Sequence, residues 1–419
     1  MTTTIPSPDR RSVITGIGVV APNGIGTEEW WKATRAGKTG IGPITHFDPS
    51  RYATKLAGQV DGFDPADYFD RRLQVQTDRW TWMALAATEK ALADASFDPA
   101  EHDPYSMSVI TASSSGGNEF GQHEIESLWA KGPGFVGAYQ SIAWFYAATT
   151  GQISIRHKMK GPSSVVVAEG AGGLEALQHS RRMIRRNVDT IVSGGTEAPI
   201  GPYALTCQMG NGLLSSAAEA DDAYRPFDSR ANGYVPGEGG AILLVENRES
   251  AAEREAPQVY GEIVGYGATN DASHHSRPAD DGAQFARAMK LALDDAGIGP
   301  SDVDAVFADG AGVPEHDALE AKAIKKALGR RASDVPVTAP KSMVGRLYAG
   351  GASLDVAAAL LAIRDGEIPP TVNLDDVAKG CEGLDFVTGK ARKADVNTVL
   401  INARGFGGFN GALVVRRPD

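Results

Sequence analysis

Three features of the sequence predict an α/β fold built from two similar halves. Short β-branched runs alternate with longer stretches of helical periodicity, the same series starts twice, and glycine supplies 49 of the 419 residues. Alternation of strand and helix implies parallel pairing and sheets covered by helices. The glycines fall largely in turns between these elements.

The elements follow in order. The run SVITGI (12–17) is apolar and β-branched and predicts a strand, and 27–36 predicts a helix. Residues 79–95 carry apolar side chains at helical spacing, and 107–111 reads as the next strand. The continuous apolar run 163–168 is short enough to be a buried strand. A helix over 174–186 and a strand over 190–192 complete the first series. The second series begins near Val259, with a strand at 260–268, a helix at 282–296 and a strand at 305–307. A helix at 315–328, a strand at 335–338 and a helix at 353–365 come next. Strands 398–402 and 412–416 flank the closing turn RGFGGFNG (404–411). No low-complexity linker divides the chain, so two halves, 1–255 and 256–419, are expected to share one core. The duplication is one of structure, without a strict sequence period.

Composition excludes several classes. With 41 Lys+Arg against 52 Asp+Glu the formal charge is −11, which gives nucleic-acid binding no support. Cys207 and Cys381 stand alone without CxxC spacing, so neither a disulfide framework nor a zinc cluster is expected. The first eleven residues have no apolar core of a signal peptide, and no run reaches the roughly 18–20 apolar residues of a membrane span. A cytoplasmic protein is expected. The GPGFVG segment (132–137) matches GxGxxG, but it follows a helical stretch rather than a strand, so nucleotide binding is not expected. His274 and His275 lack carboxylate or HExxH spacing, which leaves them as loop or wall residues rather than metal ligands. Arg181, Arg182, Arg185 and Arg186 end a helix, where they stabilise its C-terminus or, alternatively, form a docking patch.

The junction GPSSVVVAEGAGGLEA (161–176) carries more information. Where a strand end meets a helix N-terminus, unpaired N–H groups and a positive dipole suit a low-pKa thiol or an oxyanion. Four further motifs accompany it: FDSRANGYVPGEGG (227–240), ADGAGVPEHDALE (308–320), KSMVGRLYAGG (341–351) and GFGGFN (405–410). In this order, together with ITGIGVVAP (14–22), they resemble the β-ketoacyl synthases along nearly the whole chain. The resemblance implies a thiolase-like fold, an α-β-α-β-α sandwich of duplicated halves. It also implies a catalytic Cys-His-His set, and all three of its positions are changed. The cysteine position falls on Gly170, the first histidine on Asp309 and the second on Arg346, while Lys341 and Glu320 keep their motif places. Glycine offers no nucleophile, ionised Asp309 offers no donor nitrogen, and arginine does not give up its proton. Condensation needs a thioester acceptor and donors for an enolate oxygen, so this chain is expected to have no catalytic residue of its own.

The departures themselves resemble the chain length factors, the ketosynthase-β subunits of bacterial aromatic polyketide synthases. The strings AEGAGG, VFADGAGVPE, GRLY and WFYA…TGQISIRH (144–157) carry that likeness. Gly170 stands where those proteins commonly have Gln, which weakens any decarboxylase role. The resemblance implies a heterodimer with a catalytic ketosynthase-α and an acyl carrier protein whose phosphopantetheine arm serves the partner. No cofactor is expected on this chain. A growing poly-β-keto chain would extend into a tunnel near the interface. Its gate segment matches 116–125, and the gate positions fall on Asn118, Gly121 and Ile125, at the i, i+3, i+7 spacing of one helix face. Their small or medium size predicts a longer tunnel and a longer product; ordinary helix packing is the alternative. Asp309 and Arg346 are expected to pair within about 5 Å in a partly buried site, since attraction weakens with separation. The rival functions are a decarboxylase or acyltransferase acting through His274, His275 or His316, and a purely structural partner.

Overall fold

A computed structural model describes residues 10–419. The segment read above as free of a leader lies mostly outside them, at 1–9. In the first half, β1 (Ser12–Ala21) is followed by α1 (Thr27–Arg35), α2 (Arg79–Asp94) and β2 (Met107–Ala112). Next come α3 (Asn118–Lys131), α4 (Ala148–His157), β3 (Ser164–Val166), α5 (Gly172–Ile184), β4 (Thr190–Glu197) and β5 (Gly239–Asn247). The second half runs β6 (Gly261–Asn270), α6 (Ala283–Ala296), β7 (Ala305–Phe307), α7 (Pro314–Leu328) and β8 (Pro336–Thr338). It closes with α8 (Ala349–Asp365), β9 (Thr398–Gly405) and β10 (Phe409–Arg416).

The duplication is visible in the strand order. The first sheet reads β3-β2-β4-β5-β1 and the second β8-β7-β9-β10-β6, the same order 3-2-4-5-1 in each half. Within each sheet the first three strands are parallel, and the last two are antiparallel to their neighbours. A short antiparallel contact, Val13 with Glu262 and Ile14 with Gly261, joins β1 to β6 and makes the two sheets continuous. Helices α2 and α4 cover the outer face of the first sheet, while α6 and α7 cover that of the second. Between the sheets lie α5 and α8, packed on each other and on strands of both. This is an α-β-α-β-α sandwich. Helix α8 is buried from Ala349 to Ile363, which its alanines, leucines and valine allow without a polar face.

Four features differ from the sequence reading, the first being helix α4 (Ala148–His157), which has no counterpart in the expected elements. The run 163–168 forms only a three-residue strand, and it is half-exposed rather than buried. It bonds β2 on one side and leaves the other side open, with the neighbouring Val167 52% exposed. Strand β5 is fully buried between β1 and β4 and has no counterpart in the expected elements. Its run GAILLV follows directly on a glycine motif that hides its start. Strand β4 continues past Val192 to Glu197, because Gly194 and Gly195 carry on the pairing with β5.

Candidate functional site

Gly170 lies in the single 3₁₀ turn Glu169–Ala171 that leads into α5, at the centre of the sandwich. No side chain fits there. A Cβ at this position would sit 2.8 Å from Nη2 of Arg346 and deep inside contact with the backbone carbonyl oxygen of Arg404. The space for a nucleophile is therefore occupied by a guanidinium and by main chain. Arg346 donates from Nη2 to Glu169 Oε2 at 3.0 Å and to the Arg404 carbonyl at 2.8 Å. Its Nη1 lies 3.6 Å from Asp309 Oδ2, and its guanidinium lies within 6.0 Å of the ring centres of Tyr234, Tyr348 and Phe406. The Asp309–Arg346 pair expected from the sequence exists, but Glu169 is the nearer anion and was not anticipated. Its signal is adjacent: it precedes Gly170 in the junction and holds φ +47°, a left-handed conformation that costs a non-glycine residue about 1–3 kcal/mol. The Glu169 carboxylate also accepts from Phe406 N at 2.9 Å, so it ties the closing turn to the centre. Burial works against the Arg346 charge, yet Glu169 and Asp309 outweigh it and raise its pKa well above the ordinary value.

The residues that kept their motif places are bonded within the chain. Glu320 accepts from the backbone N–H groups of Asp309 and Gly310, both at 2.8 Å, and so fixes the loop that carries Asp309. Burial, and next the Asp309 charge, push its carboxyl up to about 7. Lys341 donates to the Ala308 carbonyl at 3.0 Å and pairs with Asp355 on α8. Burial raises the Asp355 carboxyl to about 6 against the pull of that lysine. Asp355 was missed in the sequence, although an isolated acid in the apolar run SLDVAAALLA requires a buried partner. His316 lines the same region, and burial followed by the Arg404 and Arg346 charges lowers its pKa to about 4, so it is neutral near pH 7.

Little room remains. One cavity, bordered by Tyr234, Asp309, His316, Arg346, Arg404 and Phe406, measures about 20 Å³. A second, bordered by Gly170, Asp309, Lys341, Arg346 and Asp355, measures about 10 Å³. Each has space for about one water, not for an acyl thioester. Neither admits a phosphopantetheine arm.

Comparison with known proteins gives the family. The model of the β-ketoacyl synthase N-terminal domain matches residues 9–251, and that of the C-terminal domain matches 260–375. The chain belongs to the β-ketoacyl synthase family. Among relatives of this synthase-family chain is the tetracenomycin polyketide synthase ketoacyl synthase beta subunit of Streptomyces glaucescens. It is 54% identical over 407 residues, covering 97% of this chain and 98% of the relative. The ishigamide ketosynthase/chain length factor superposes with a TM-score of 0.91 at 30% identity, over 98% of this chain and 100% of that one. A type II polyketide synthase acyl carrier protein in complex with its ketosynthase bound to the hexaketide gives 0.89 at 28% identity, again over 98% and 100%. Within the family, the likeness is to the ketosynthase-β, or chain length factor, branch.

The remaining candidates border neither of these two cavities. Asn118, Gly121 and Ile125 all lie on α3; Gly121 is buried, Asn118 half-buried and Ile125 exposed. The space that Gly121 leaves is not open within the chain, since a Cβ there would meet Trp144 Cδ1 at 2.9 Å. His274 and His275 stack with ring centres 4.2 Å apart in the loop after β6, and His274 Nδ1 accepts from Ser276 N. Arg181 is buried, bonded to Asp295 and to the Val264 carbonyl, so the first of the four arginines serves the core. Cys207 is exposed and Cys381 buried, both as free thiols. Gly132 ends α3 at φ +101°, which accounts for the first glycine of the GxGxxG match. Among the described residues no helix is long and apolar enough to cross a membrane, and no group of three His, Cys, Asp or Glu side chains is placed to hold a metal ion.

Proposed function

We propose that this chain is the non-condensing, length-setting partner of a catalytic ketosynthase-α in aromatic polyketide biosynthesis, of an antibiotic or pigment. The observation that carries it is the filled centre: Gly170 sits where a nucleophile belongs, under Arg346 and the Arg404 carbonyl. Condensation then takes place on the partner, and the phosphopantetheine arm of an acyl carrier protein delivers malonyl units to the partner's site. The half-open edge of β3 and the exposed Val167 offer a place for a second subunit, since unpaired strand edges invite pairing. Trp129, Phe135, Ile142 and Phe145 add apolar surface from α3 and the segments packed against it. Clustered exposed apolar side chains are the kind of surface a protein partner covers.

The poly-β-keto chain runs along the gate face of α3, and the small trio Asn118, Gly121 and Ile125 favours a long product. The halves 1–255 and 256–419 act as one unit in this role, and the protein works in the cytoplasm. Co-expression with ketosynthase-α and acyl carrier protein, followed by product mass analysis, tests the proposal. Product is expected only with both subunits present. Replacing this chain by a ketosynthase-β from a shorter-product system is expected to shorten the product. Condensation by this chain alone, or a product length indifferent to the exchange, would overturn it.

A further inference from the structure

The gate trio contains no bulky side chain, so what closes the tunnel must come from another segment. The Cβ direction of Gly121 identifies the gate face, because Asn118, Gly121 and Ile125 share it. In that direction stands the indole of Trp144, whose Cδ1 lies 2.9 Å from where a Cβ would be and whose Nε1 lies 3.7 Å away. Trp144 is 46% exposed, so one edge of the ring packs on α3 at Gly121 while the rest faces outward. Its backbone is pinned to the start of α3, since Gly117 N donates to the Trp144 carbonyl at 3.2 Å. Gly117 itself packs against the carbonyl of Ala143, which leaves the two segments no slack. The ring of Tyr146 supports the indole from the side, with centres 6.2 Å apart.

We infer that Trp144 is a specificity-determining residue, the wall against which the growing chain stops. The inference rests on the gate proposal above and changes its content. The volume freed by glycine at 121 is taken up by the indole, so tunnel length follows Trp144 rather than the trio alone. An aromatic wall also suits the occupant, because a poly-β-keto chain presents flat, polarised carbonyl units that can lie along a ring face.

The test is product mass from the synthase reconstituted with ketosynthase-α and malonyl-loaded acyl carrier protein. Trp144→Ala and Trp144→Leu are each expected to lengthen the major product by at least one two-carbon unit. Trp144→Phe, which keeps a ring, should leave most of the product at the original length. Tyr105→Ala, which removes an exposed aromatic ring from the turn before β2, should leave the product length unchanged. Trp144→Leu keeps an apolar side chain, so it reports even if the alanine variant fails to assemble. Ile125→Trp measured alongside separates the two ideas. Shortening by Ile125→Trp with unchanged length in both Trp144 variants would overturn the role of Trp144 and keep the gate. Unchanged length in all of them would overturn both.

Discussion

At the scale of single residues, the centre is defined by one missing side chain and two added charges of opposite sign. Gly170 gives up the nucleophile, and Arg346 fills the space with a cation held by Glu169, Asp309 and the Arg404 carbonyl. A buried guanidinium is tolerated only with such partners, because the desolvation of an unpaired charge is far larger than its packing gain. The tight fit gives a direct prediction. Gly170→Ala is expected to lower stability by about 1–3 kcal/mol, the usual effect of overpacking, seen as a lower denaturant midpoint with an unchanged slope. A midpoint equal to the parent's would mean that the centre yields and is not tightly filled.

What the sequence allowed at this scale was uneven. Gly170, Asp309 and Arg346 could be found because each interrupts a motif at a known place. Glu169 and Asp355 could not be assigned partners, because the groups that neutralise them are 177 and 14 positions away and meet only through the fold. The same holds for Trp144 and Gly121, which join through a turn rather than a periodic pattern.

Among elements, helix α3 is positioned by two buried carboxylates. Asp78 accepts from Trp80 N at 3.3 Å, capping α2, and from Phe120 N at 2.8 Å, in the first turn of α3. Glu197, at the end of β4, accepts from the N–H groups of Ser114 and Ser115 and from the Ser115 hydroxyl, just before α3. Burial raises both carboxyls to about 7; at Asp78 the nearby Glu119 charge adds to the rise, and Arg79 opposes it.

A carboxyl raised on folding binds its proton more tightly in the native state than in the unfolded one. Its contribution to stability is therefore present at low pH and is lost as pH climbs from the unfolded value, near 4, toward about 7. Thermal melting across this range should show Glu197→Gln losing less stability with rising pH than the parent. An identical pH slope in the two proteins would contradict the buried, weakly compensated state of Glu197. The sequence anticipated most elements because their periodicity is local. It missed β5, whose apolar run follows a glycine motif without a break. It took β3 for a buried strand because an edge strand and a central one have the same composition.

Over the whole molecule, two halves with the same strand order enclose the paired helices α5 and α8, and the centre lies where they meet. In the family this arrangement presents a catalytic set; here the same turns present a plug with about one water's worth of space on each side. The fold was legible as a whole because five separated motifs occur in order, each tied to a turn that shapes the centre. The open edge of β3 and the exposed aromatic residues were not legible, since exposure depends on what packs beside them. The chain keeps the family's architecture around a filled centre and leaves one strand edge and several aromatic rings exposed.

That division of labour can be measured directly. The assembled heterodimer is incubated with malonyl-loaded acyl carrier protein, and the two subunits are weighed separately by intact-mass spectrometry. Acyl adducts are expected on ketosynthase-α and none on this chain, whose centre holds Gly170 beneath Arg346. An acyl adduct on this chain, at the exposed Cys207 or at any other residue, that forms and turns over with the product would contradict this.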